Sequence, residues 1–431
     1  MTVRAGKGLF GRPKARQTFT LFGSITDQGL SSLTNLLVSL FAAHLVSVVA
    51  FGVVSIVMTI YFVCVAIARA IVCDPLMLSK MQPKERLRDV VSQVASASFV
   101  IGLLFALATI VVWVLGPPNG FVGSLVILGV AMPFLLLQDL ARYFAFWRGT
   151  PWVAAANDLL WLVGSLSALL LLPRQAASAP TVMACWVGSG ALAGVVFAIH
   201  LRWRPSPTAA RSWVREQRRL IGPLLGDCGL NALLQQGTVF IITAVAGLSA
   251  TAAFRGALVA LGPVNVLIGG VAVFLVQIGR GSFDATPERL PVLMFRRAAA
   301  LSAAVMSMCL VAYFVPTELG ELMLGDVWAY ALPLILPFSF VYAALAFHFG
   351  AQTGLRLIGE AGRSFRLRAV TTPLTLIAIA VACVNYGVTA AVWAEAMAGL
   401  VAASLWWWTF VACHRRKFLR TPTDGGPRHR R

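Results

Sequence analysis

The chain has 431 residues, of which 59% are hydrophobic and 12% charged, with a formal net charge of +19. A soluble domain carries roughly 25% charged residues. Half that share, with apolar runs of about 20 residues throughout, excludes a soluble protein and predicts an all-α polytopic membrane protein. The Lys and Arg excess lies between the apolar runs, which argues against nucleic acid as a partner. It fits topogenic charge in contact with anionic membrane lipid.

In chain order, residues 1–18 form a basic tail. The first apolar run is long and polar-striped and lacks a clear cleavage site, so it reads as a retained span rather than a signal peptide. Six spans are predicted at about 19–43, 50–72, 90–115, 121–146, 152–172 and 179–201. Gly116-Pro117-Pro118-Asn119-Gly120 is a strong turn between the third and fourth. Residues 202–219 are a basic linker whose end, Trp213 to Leu220, reads as an amphipathic helix on the membrane surface. Six more spans are predicted at about 220–246, 252–277, 298–315, 328–350, 369–384 and 388–412, with Asn385-Tyr386-Gly387 between the last two. Residues 413–431 are a second basic tail.

Numbering the gaps alternately, one set together with both tails holds every Lys and Arg except Arg174 and Arg255. The positive-inside rule then puts both termini in the cytoplasm and makes the span number even. The expected fold is about twelve transmembrane helices in two six-helix bundles, 19–201 and 220–412, related as a parallel repeat.

The first span carries polar residues along one helical stripe: Thr20, Ser24, Asp27, Gln28, Ser31 and Asn35. The pattern recurs two hundred positions later, where Asp227-Cys228-Gly229-Leu230 matches Asp27-Gln28-Gly29-Leu30. Asp227, Asn231, Gln235 and Thr238 again share a stripe. Both aspartates lie roughly 10–12 Å inside their spans at about 1.5 Å per residue. A charge at that depth is costly and marks function by default. These stripes are the expected substrate path, with ion coupling at Asp27 or Asp227 as a further role and plain packing as the alternative. Two other pairs support the repeat: Ala50-Phe51 with Ala253-Phe254, and Gln138 and Arg142 with Gln352 and Arg356.

Arg69, Arg142, Arg280 and Arg356 lie near inner span ends, where a planar guanidinium suits a phosphate headgroup. Snorkelling to the interface is the alternative for each. Asp139 and Arg142 are three apart and can pair on one helix face. Asp158 is expected either to cap its helix or to pair with a nearby arginine. Arg255 sits near an outer span end, against the charge trend, and is a candidate for holding an anion on the path. Glu395 and His348 are deep titratable groups with coupling or structural roles open to them.

The seven cysteines are scattered singly, without a Cys/His cluster, so no metal and no cofactor is expected. No HExxH, GxSxG or phosphate-binding glycine loop is present. These absences point away from an enzyme.

The polar, Asp-x-Gly-bearing first span, the two six-helix halves and Gln138-Asp139-Leu140-Ala141-Arg142-Tyr143 at the end of the fourth span resemble bacterial oligosaccharide and polysaccharide flippases. These belong to the multidrug/oligosaccharidyl-lipid/polysaccharide exporter superfamily. The resemblance implies alternating access in a bacterial cytoplasmic membrane. It also implies a polyprenyl-linked glycan as substrate and glycan-synthesis enzymes as partners. It carries Asp27, Gln28, Asn35, Asp227, Asn231 and Arg255 over as cavity positions. A cation-coupled multidrug antiporter of the same superfamily is the alternative, and an acyltransferase-like enzyme or scaffold a third.

Overall fold

A computed structural model describes residues 30, 33–78, 87–264, 267–268 and 287–419. These residues form helices α1 Leu33–Leu45, α2 Val48–Ala68, α3 Asp74–Leu78, α4 Leu87–Leu115, α5 Gly120–Arg148, α6 Pro151–Leu170, α7 Ala179–His200 and α8 Pro207–Ala260. Four more follow: α9 Leu290–Tyr313, α10 Thr317–Leu324, α11 Val327–Leu357 and α12 Ala361–His414. A π turn, Arg69–Cys73, joins α2 to α3. No strand occurs among the described residues. The chain divides into two compact units, Met1–Ala232 and Leu233–Arg431.

Local sequence sets where these helices begin and end. Asn119, closing the Gly-Pro-Pro-Asn turn, caps α5 by accepting the Val122 N–H at 2.9 Å. Ser178 and Thr181 form a reciprocal capping box at the start of α7. Gly149 ends α5 with a left-handed φ of 77°, the usual glycine stop. Pro151 then opens α6 at a first-turn position, where its missing N–H is harmless.

The long helices turn apolar residues outward. On α4, Leu104, Leu107, Val111 and Val114 are all more than half exposed, whereas Val94, Ala95, Ala106 and Thr109 are buried. An outward stripe of leucine and valine over a small-residue inner face is the pattern of a lipid-facing helix. Among the described residues, nine helices are long and apolar enough to cross a membrane. The protein is multi-pass.

Two of those nine are broken by a glycine. α12 has 54 residues, far beyond the ~20 that span a hydrocarbon core. Gly387 breaks it with φ 82° and ψ −173°. Its arms fold back on each other, since Trp406 Nε1 donates to Ser364 Oγ at 3.1 Å and Arg363 Nη1 donates to Cys413 Sγ at 3.2 Å. α8 bends in the same way at Gly247, φ 82° and ψ −175°. Thr243 and Thr251, four residues to either side, share a hydroxyl–hydroxyl bond of 2.9 Å. With these two bends and the shorter apolar helix α1, the described residues fit the roughly twelve-helix membrane fold expected from the sequence.

Each unit has its own apolar interior. The N-terminal unit packs Leu137, Leu140, Phe144, Phe197 and Trp213 together. The C-terminal unit packs Met294, Ala298, Leu355, Trp406 and Phe410.

The backbone region of Gly247 and Gly387 is essentially closed to other residues. Gly247→Ala and Gly387→Ala should each lower stability by about 1–3 kcal/mol, read as thermal unfolding in detergent. Gly222 is helical with nothing near a would-be Cβ, so Gly222→Ala should be neutral or stabilising by up to about 1 kcal/mol. Equal melting of all three variants would remove the strained-bend argument.

Candidate functional site

The most strongly built polar site lies in the N-terminal unit, where α2 widens into its π turn. In that turn the Asp74 N–H reaches back to the Arg69 carbonyl. Single π turns inside helices recur at functional sites. The Ile71 carbonyl, in the same turn, accepts the indole N–H of Trp213 at 3.0 Å. One turn earlier the Ala66 carbonyl accepts the Cys228 thiol at 3.0 Å. Trp213 is buried, as is Ala210 one turn before it. The stretch from Trp213 to Leu220 is helical, with Trp213 buried and Val214, Arg215, Glu216 and Leu220 exposed. It belongs to the start of α8, with its inner face packed on the N-terminal unit.

Arg69 opens the π turn and reaches α5. Its Nε and Nη2 donate to the two carboxylate oxygens of Asp139 at 2.9 and 2.6 Å, and its guanidinium lies 5.4 Å from the Tyr143 ring centre. Three residues along α5, Arg142 Nη2 donates to Asp158 of α6 at 2.5 Å. Gln138 Nε2 donates to the other oxygen of Asp158 at 2.7 Å. Asp139 and Asp158 are 4% and 1% exposed. All four charged groups lie within electrostatic reach of the buried Tyr61, whose ring meets Trp186 edge-on at 5.1 Å.

Close packing of α7 makes the burial possible. A Cβ on Gly194 would sit 1.9 Å from the Phe134 carbonyl oxygen of α5. Next to Gly194, the Ala193 carbonyl accepts the Asn157 side-chain amide at 3.0 Å. That bond fixes the turn of α6 that aims Asp158 at α5.

The geometry corrects one sequence expectation. Asp139 and Arg142 do not pair with each other, because each finds a better-aligned partner on another helix. For Asp139 that partner is the planar fork of Arg69, which offers two parallel hydrogen bonds. For Asp158 the structure selects the arginine pair over the helix cap.

The other predicted residues are dispersed. Asn35 is half-buried on α1, its main-chain carbonyl bonded by the Ser39 hydroxyl at 2.7 Å. Gln235 is exposed and Thr238 buried on α8. Arg255 is half-buried on the second arm of the same helix, within electrostatic reach of Tyr342. Arg356 is exposed at the end of α11. His348 is half-buried, its ring 4.5 Å from Trp406. Glu395 holds its Oε2 inside with no hydrogen-bond donor among the described residues. Asp227 and Asn231 lie within α8, and their side chains fall outside the description. Asp27, Gln28, Ser31 and Arg280 lie outside the described residues.

The caps that close α5 and α11 resemble each other. After α5, Gly149 N–H bonds to the Phe146 carbonyl at 3.0 Å and Thr150 N–H to Ala145 at 2.8 Å. After α11, Gly359 N–H bonds to Arg356 at 3.1 Å and Glu360 N–H to Leu355 at 2.8 Å. Gly149 and Gly359 have φ of 77° and 79°. Aligned on these caps, Arg142 answers Gln352 and Gln138 answers His348, one helical turn away from the pairing by residue type.

A scan against protein-family models finds no match, and a search of curated proteins finds no relative. Solved structures do match. An inward-facing multidrug-resistance transporter of the MATE family, in the MOP superfamily, aligns with TM-score 0.66 at 13% identity, covering 92% of this chain and 99% of its own. The lipid II flippase MurJ, in an inward closed conformation, aligns with TM-score 0.68 at 12% identity, covering 91% and 87%. A MOP-superfamily transporter from Pyrococcus furiosus aligns with TM-score 0.56 at 13% identity, covering 94% and 96%. At these identities the likeness establishes the fold.

Removing one partner of a buried ion pair strands the other charge at a cost of about 3–5 kcal/mol. Asp158→Ala should lower stability on that scale, read as thermal unfolding in detergent. The double variant Arg142→Met with Asp158→Leu should recover most of the loss. If Asp158→Ala alone melts like the parent, the pair is not sealed as described.

Proposed function

We propose that this chain is a membrane transporter, a flippase that moves a lipid-linked oligosaccharide or polysaccharide precursor across a bacterial cytoplasmic membrane by alternating access. The observation that carries the reading is the twelve-span fold it shares along most of its length with transporter structures, a lipid II flippase among them. The two polar stripes, Asp27 with Gln28, Ser31 and Asn35, and Asp227 with Asn231 and Gln235, support a path for sugar hydroxyls. Arg255, Arg280 and Arg356 supply cationic groups for a headgroup phosphate. Arg69 and Arg142 already face carboxylates, so their first role is to hold the N-terminal unit together. No covalent chemistry is needed, and glycan-synthesis enzymes are the natural suppliers of the substrate.

A second reading, a cation-coupled drug antiporter, is favoured by one observation. The carboxylate of Glu395 has an oxygen buried without a donor among the described residues, and such a group is stable in an apolar interior only with a proton, a bound cation or another hydrogen-bond donor. The alignment with a MATE transporter is compatible with it.

Full-length protein reconstituted in vesicles separates the two. A fluorescent polyprenyl-diphosphate sugar should cross between leaflets faster with the protein than without. Asp27→Ala should slow it by about tenfold, the equivalent of one lost polar contact. Efflux of a cationic dye that needs a proton or sodium gradient and fails in Glu395→Gln, with no lipid transfer, would replace the flippase by the antiporter.

A further inference from the structure

The C-terminal unit holds a cleft that neither reading of transport uses. Its volume is about 450 Å³, and it lies between the first turns of α9 and the last turns of α12. Val292 and Phe295 of α9 line it, as do Trp407 and Val411 of α12, with Glu288 and Arg415 at its charged end. Val292 and Phe295 are 56% and 50% exposed, so the apolar wall stands open.

The walls are held in place. The Phe295 ring meets Trp407 edge-on at 5.3 Å, and the Phe347 ring of α11 lies 5.3 and 5.2 Å from the two. Trp407 Nε1 donates to the Phe347 carbonyl at 3.1 Å, which fixes the indole. At the charged end, the short turn Pro287–Arg289 packs against the π turn Arg415–Leu419. Lys417 Nζ donates to the Ile358 carbonyl at 2.8 Å and pins that turn to the end of α11.

Polarity changes in the same sense along both walls. Glu288 to Phe295 is a rise of about 10 Å, and Arg415 back to Trp407 about 12 Å, at ~1.5 Å per residue. Each wall passes from a charge to an aromatic ring over that distance. Both α9 and α12 are apolar enough to cross a membrane. The aromatic end of the cleft therefore meets hydrocarbon and the charged end the headgroup layer. A soluble ion or peptide matches only one end, whereas an amphiphile matches both.

The charges narrow the headgroup. Arg289, Arg415, Arg416 and Lys417 are exposed on the two turns, against the single carboxylate of Glu288. A basic pocket between membrane helices suits a headgroup of net negative charge. A carboxylate beside it repels a bare phosphate monoester but accepts from a hydroxyl. A phosphate that carries a glycerol satisfies both.

We infer that this cleft binds phosphatidylglycerol, with its phosphate on Arg415, its headgroup hydroxyls on Glu288 and one acyl chain over Phe295 and Trp407. The lipid is resident rather than transported, so the site stands whether the cargo is a glycan lipid or a drug.

Full-length protein is placed in nanodiscs of equal parts phosphatidylglycerol, phosphatidic acid and phosphatidylcholine. It is then moved to detergent, and the lipid it retains is identified by native mass spectrometry. The parent should retain phosphatidylglycerol over phosphatidylcholine by about tenfold, the scale of one charge-assisted hydrogen bond. Arg415→Gln should erase that preference. Val292→Trp, which fills the cleft, should lower retention of phosphatidylglycerol to the level of phosphatidylcholine. Both positions are exposed, so both variants should melt like the parent. Glu288→Ala should let phosphatidic acid be retained equally with phosphatidylglycerol. Arg174→Gln, an exposed arginine of the N-terminal unit, should behave like the parent. Equal retention of all three lipids by the parent marks ordinary bilayer contact and would overturn the inference. So would a parental preference for phosphatidic acid, parental retention by both Arg415→Gln and Val292→Trp, or an equal loss in Arg174→Gln.

Discussion

Two opposite charges sealed from water bind each other far more tightly than the same pair on a surface, and neither can be left behind without the other. The N-terminal unit is assembled around one such pair, Arg142 with Asp158, and a second, Arg69 with Asp139, whose arginine side chain is 33% exposed. Arg69 ties α2 to α5 through Asp139, and Arg142 ties α5 to α6 through Asp158. Apolar packing between lipid-facing helices is weakly directional, because lipid tails wet leucine as well as another helix does. The ion pairs supply direction. They set which face of α5 looks toward α2 and which toward α6, and the small residues of α7 close over the result. The π turn belongs to the same assembly, since it carries Arg69 at one end and offers the Ile71 carbonyl to Trp213.

Much of the architecture was legible because the bilayer imposes it. A fixed hydrocarbon thickness converts composition directly into spans, and charge bias between spans orders the gaps. The break near Gly387 was visible as a turn triplet, and the one at Gly247 as a short gap between apolar runs. What the order of residues did not disclose was partnership. Asp139 and Arg142 are neighbours by helical spacing, yet their partners stand 70 residues before and 16 residues after. Only the packing angle of three helices decides that. Residue type pairs Gln138 and Arg142 with Gln352 and Arg356, whereas the capping glycines pair them with His348 and Gln352, one turn away. Trp213 stood out in an arginine-rich stretch, but its bond to the Ile71 carbonyl did not. The π turn left no mark in composition.

The two units therefore share a plan and differ in electrostatics. The first unit cancels its own charge across α5 and α6, where Asp158 accepts from both Gln138 and Arg142. The second unit joins α11 to α12 largely through aromatic packing, with Trp407 Nε1 donating to the Phe347 carbonyl and the Phe347 ring 5.2 Å from that of Trp407.

The single-residue bends at Gly247 and Gly387 have a consequence for how the chain is made. Two spans joined by one residue have no polar segment between them to be carried across the bilayer on its own. Each pair is thus committed to enter as one helical hairpin, with both arms inserting together. At Gly387 the bend also turns one large side chain outward, Tyr386, so that this hairpin leads with an aromatic ring.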